Sequence, residues 1–169
     1  MRFLSKLFGS KSTQAQLYAP PESDPERRAD IWRQVLDQGW TLDRPDTLPP
    51  PVVSVSDFFT GNNEEGSIAP NVAGMANEPS HDTFRDVLTS IKARPNVQDV
   101  LVALDPEDDH SMWPSSSTVY ILSSATEDDV REWVAPIKPD EVSEGYATGK
   151  PVRAPLLNPN VRVWYVWWD

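Results

Sequence analysis

Carboxylates are the residue type best placed to do chemistry in this chain. One set lies in Gly61-Asn62-Asn63-Glu64-Glu65-Gly66-Ser67, with Asp57 just upstream. A second is Asp105-Pro106-Glu107-Asp108-Asp109-His110, followed by Trp113. Carboxylates with an imidazole can bind a divalent cation or move protons. The 105–110 run lacks the glycine and the late bidentate glutamate of an EF-hand loop, so a solvated acidic loop is the simpler expectation. The 61–67 run has no Gly-Lys-Ser/Thr, and its glutamates would repel a phosphate, so it is not a phosphate loop. Gly and Asn there suit a left-handed turn. His81 and His110 are the only histidines; neither has a serine nucleophile signature beside it, and no Gly-x-Ser-x-Gly elbow occurs.

There are no cysteines, which excludes disulfides, thiolate zinc sites and a cysteine nucleophile. Lys plus Arg number 15 against 26 Asp plus Glu, a formal charge of −11. Residues 1–21 hold Arg2, Lys6 and Lys11 and no acid, a net +3, so residues 22–169 carry 12 basic and 26 acidic side chains, a net −14. Such a body suits a basic protein partner and argues against nucleic acid, whose phosphates need a basic face. Seven tryptophans argue against general disorder, while 17 prolines imply stiff loops.

The elements that must position these residues follow from periodicity. Residues 1–23 read as a flexible basic, proline-rich segment. Phe3, Leu4, Leu7 and Phe8 share a helical face, but Lys6 breaks any signal-peptide core, no apolar run is long enough to span a membrane, and a cytoplasmic location is expected. Residues 24–51 hold a helix, capped by Asp24 and Pro25 with Ile31, Trp32, Val35 and Leu36 at helical spacing, and a proline-rich connector. Residues 52–169 read as one α+β domain. Its parts are a strand at Val52–Val55, a loop through Ile68, a helix from His81, strands at Val97–Leu104 and Thr118–Leu122, a helix from Thr126, loops over 138–159 and a strand at Val161–Trp168. The order βαββαβ predicts a two-layer ferredoxin-like antiparallel sheet with an additional N-terminal helix. Both faces of the last strand carry aromatics, so its second face needs a cover; Trp164 and Trp168 are expected inside their own chain.

The segment Phe58-Phe59-Thr60-Gly61-Asn62-Asn63-Glu64-Glu65-Gly66-Ser67-Ile68-Ala69-Pro70-Asn71 resembles a Phe-Phe-x-Gly-Asn-x-x-x-Gly-Ser-Ile-x-x-Asn pattern of a family of small uncharacterised bacterial proteins. Pro139-Asp140-Glu141-Val142 and the ending Val166-Trp167-Trp168-Asp169 resemble the same family. The resemblance spans 52–169, leaves the N-terminal helix outside, and implies no activity or catalytic residue. In overall profile the chain is also similar to bacterial immunity proteins, which are small, acidic and bind a toxin directly.

The expectation is therefore a non-enzymatic protein, monomeric or weakly dimeric and without cofactor, that neutralises a cognate basic toxin by occlusion. Asn62, Asn63, Glu64, Glu65, Glu107, Asp108, Asp109 and His110 would supply polar complementarity and Trp113 an anchor. The alternatives are a metal-dependent or carboxylate-using enzyme built on Asp57, Glu64, Glu65, Asp108, Asp109 and His110, or a ligand-binding regulatory ferredoxin-like domain.

Overall fold

In the computed structural model the described residues are 22–41, 43, 48–107 and 109–169; the expectations for residues 1–21 and for Asp108 lie outside them. Helix α1 (Pro25–Asp37) begins where the sequence dictates: the Asp24 side chain accepts the N–H groups of Glu26 and Arg27 at 2.9 and 3.3 Å, with Pro25 at the first helical position. Gly39, at φ 81°, follows its end. Ile31, Trp32 and Val35 are buried in the same core as the main sheet, so α1 packs as part of the body.

The rest runs β1 (Val52–Ser54), α2 (Val55–Phe59), a 3₁₀ turn (Glu65–Ser67), α3 (His81–Lys92), β2 (Val97–Asp105), β3 (Ser115–Ser123), α4 (Glu127–Val134), a second 3₁₀ turn (Ala135–Ile137), β4 (Glu141–Glu144) and β5 (Arg162–Trp167). Helix α4 opens on a capping box: Thr126 Oγ1 accepts the Asp129 N–H, while the Asp129 carboxylate accepts the Thr126 N–H.

The five strands form one antiparallel sheet in the order β1-β2-β3-β5-β4. Alternation along the strands sorts the side chains onto two faces. Val53, Val100, Val102, Val119, Ile121, Trp164 and Val166 meet the helices, including Phe58, Phe84, Leu88, Val130 and Val134. Val52, Leu101, Ala103, Tyr120, Leu122 and Val163 form a second cluster, covered by Tyr146, Ala154 and Val161. The segment 145–161 is thus the cover that the aromatic last strand requires. Trp164 and Trp168 are both buried, and the Trp168 indole Nε1 donates to the Ile137 carbonyl at 2.6 Å.

The α+β class and the antiparallel sheet are as expected, but the ferredoxin-like strand order is corrected. In a split β-α-β unit, the strands joined through a helix run parallel with a third strand between them. Here α2 and α3 return the chain to a strand bonded directly and antiparallel to β1, with Val53 opposite Val102. A strand also lies where loops were expected: β4 pairs Val142 with Val166. Only Val142 of its four residues is buried, so this edge strand carries almost no hydrophobic pattern. The opposite edge is closed by a side chain: Gln38 Nε2 donates to the Val52 carbonyl and Gln38 Oε1 accepts the Val52 N–H, each at 2.9 Å. An amide thereby occupies positions where another strand would pair.

Candidate functional site

The 61–67 loop follows the end of α2. Gly61 sits at φ 78° and its carbonyl accepts the Asp24 N–H at 2.8 Å; a Cβ there would lie 2.8 Å from the Asp24 Cβ. Asn62 is buried: its Oδ1 accepts the Glu64 N–H at 3.1 Å and its Nδ2 donates to Ser67 Oγ at 2.9 Å. Asn63 turns to the start of α1, its N–H donating to Ser23 Oγ at 2.9 Å and its Nδ2 to the Glu22 carbonyl at 3.1 Å. After the turn, Ile68 makes a parallel bridge to Ser116 at the start of β3.

The two glutamates diverge. Glu65 Oε2 accepts the N–H of His81 at 2.9 Å, placing a carboxylate at the N-terminus of α3. Glu64 reaches the second acidic loop, where its Oε2 accepts the Trp113 N–H at 2.8 Å and its Oε1 lies 3.8 Å from Arg28 Nη1 of α1. Three segments remote in sequence, α1, loop 61–67 and loop 106–114, therefore meet at Glu64.

A cleft of about 250 Å³ opens at this junction, lined by Trp32, Glu64, Gly66, Ser67, Pro70, Glu107, Asp109, Met112, Trp113 and Ser115. Its wall is largely apolar and its rim acidic. Trp32 donates its indole N–H to the Met112 carbonyl at 2.9 Å, and His110 stacks on the Trp32 ring with centroids 4.0 Å apart. Trp113 is 3% exposed, and its indole Nε1 has no acceptor. Met112, by contrast, is exposed. Asp109 accepts from Ser111 Oγ at 2.6 Å and from the Ser111 N–H at 2.9 Å, bonds that hold its carboxyl below the usual carboxylate range.

Glu64, Glu107, Asp109 and Trp113 of the expected residues line the cleft, and His110 covers its Trp32 wall. Asn62, Asn63 and Glu65 hold the loop from behind. Trp32, Pro70 and Met112 also line it, although Trp32 reads in sequence only as part of a helical core stripe. Among the described residues, which leave out Asp108 of the metal-enzyme alternative, no group of three or more His, Cys, Asp or Glu is placed to hold a metal ion. Asp57 accepts from Ser54 Oγ at the start of α2, beside a separate depression lined by Arg27, Asp30 and Thr60.

His81 is buried at the first position of α3, its ring edge-on to Phe59 at 5.0 Å, and its Nε2 has no partner. Burial pulls its pKa below 6.5, against the opposing pull of Glu65 and Asp82.

The model of the YfbO family, a family of uncharacterised proteins, matches residues 26–166. The chain belongs to this family. The family match takes in α1 from Glu26 onward, both acidic loops and every residue lining the cleft; it reaches upstream of the expected residue 52 and stops at Val166, short of the last three residues of the expected span. The uncharacterized protein YfbO of Escherichia coli (strain K12) is 36% identical over 115 residues, covering 68% of this chain and 79% of that relative. No solved structure matches the chain. Among the described residues, no helix is long and apolar enough to cross a membrane.

Proposed function

We propose that this member of the YfbO family is a non-enzymatic binding protein that receives a basic protein on its acidic cleft, most specifically an immunity protein that occludes a cognate toxin. The observation that carries this reading is the convergence of two sequence-distant acidic loops around a tryptophan-walled cleft. An acidic rim on a body of net charge −14 (12 basic, 26 acidic over residues 22–169) steers a basic surface towards it, and a desolvated apolar centre supplies residence time. The carboxylates are poorly suited to acid–base catalysis: Glu64 and Glu65 accept structural N–H bonds, and Asp109 is held ionised rather than raised towards neutral pH.

The test is co-expression of the full chain with a toxic basic protein captured with it from the native cell. The wild-type chain is expected to restore growth and to co-elute with that protein in a stoichiometric complex. Restored growth with no complex, or a complex with no rescue, contradicts the immunity reading.

A further inference from the structure

We infer that the cleft takes one cationic residue of an extended peptide, arginine or lysine, held at two points: its charged head between the Glu107 and Asp109 carboxylates, and a neighbouring backbone carbonyl on the Trp113 indole N–H. The inference rests on the partner-binding reading and gives it a chemistry. At about 250 Å³ the cleft is below the ~300–1,000 Å³ usual for small-molecule sites and suits a single long side chain. Trp32, Pro70, Met112 and Trp113 provide an apolar wall of the kind along which a lysine or arginine stem lies while its head stays wet.

The rim has acceptors to spare for that head. Both Ser111 bonds fall on Asp109 Oδ1, leaving Oδ2 open among the described residues. Glu107 is exposed and makes no hydrogen bond or ion pair among them. Glu64 is already engaged, by the Trp113 N–H and by Arg28, so the cation belongs at the Glu107–Asp109 side. The second point comes from the opposite polarity. Trp113 is 97% buried, and its indole N–H is a donor without an acceptor in a wall of the cleft. A buried donor is stabilised by gaining an acceptor, but three carboxylates at the rim repel an anionic one. A peptide carbonyl is neutral, and it accompanies every arginine and lysine.

The probes are four capped tripeptides, acetyl-Gly-X-Gly-amide with X arginine, lysine, norleucine or glutamate, titrated into ¹⁵N-labelled full-length protein. The Trp113 indole resonance is assigned by W113F. The arginine and lysine peptides are expected to move that resonance and to bind about tenfold more tightly than norleucine, with E107Q/D109N removing the difference. Equal binding of the norleucine or glutamate peptide overturns the inference, as does a stationary Trp113 resonance. A stoichiometric protein complex that E107Q/D109N leaves unchanged overturns this inference alone and leaves the partner-binding reading intact.

Discussion

Glu64 and Glu65 are neighbours in sequence with opposite destinations, one tying loop 61–67 to Trp113 and the other to the N-terminus of α3. The loop's geometry depends on Gly61, whose left-handed φ and 2.8 Å approach to the Asp24 side chain leave no room for a Cβ. Gly61→Ala is therefore expected to cost about 2–4 kcal/mol in urea denaturation, by adding left-handed strain to overpacking. Gly66→Ala, where a Cβ meets nothing within 4 Å, is expected to stay within about 1 kcal/mol of wild type. His81 gives a pH dependence of definite sign. Its folded pKa lies below 6.5, so between the two values the unfolded chain binds more protons; the stability its neutral form contributes is present above pH 6.5 and is lost as pH falls from there towards the folded value. His81→Phe, which keeps a ring beside Phe59, should flatten that part of the stability–pH curve. The turn chemistry of this loop was legible from its Gly and Asn residues. The partners of its glutamates were not, because Trp113 and His81 lie 49 and 16 residues away along the chain.

At the scale of elements, the sequence was most informative where caps and periodicity agree. Asp24-Pro25 and Thr126 start helices in the structure as their side chains predict. Helix α2 and strand β4 escaped because five and four residues are too few to show a period. The strand order escaped because β1 is only three residues long and nothing local says which strand it will join. Gln38 settles part of that question by closing the outer edge of β1. Gln38→Ala is expected to cost about 1–3 kcal/mol in urea denaturation by leaving the Val52 N–H and carbonyl half-buried without partners. Light scattering should also show faster association of the variant on warming, since a strand edge is uncovered.

Across the whole molecule, the charge of −11 is a sum over a +3 segment at residues 1–21 and a −14 body. The body's acids are widely distributed, and many are paired on the surface, such as Asp82 with Arg85 and Glu127 with Arg131. What distinguishes the cleft is that Glu107 and Asp109 stand at an apolar opening with Arg28 engaged by Glu64. Composition announced an acidic protein; only the fold assembles α1 and two loops into one face. The most direct measurement is the affinity of the wild-type chain and of the charge-reversed variant E107K/D109K for the stoichiometric partner captured from the native cell. Calorimetry at low and physiological salt gives the affinity, and thermal unfolding checks that the variant folds. The reversal is expected to weaken binding about a hundredfold, with a smaller salt dependence and an unchanged melting temperature. Equal affinity of both chains for that partner would contradict it.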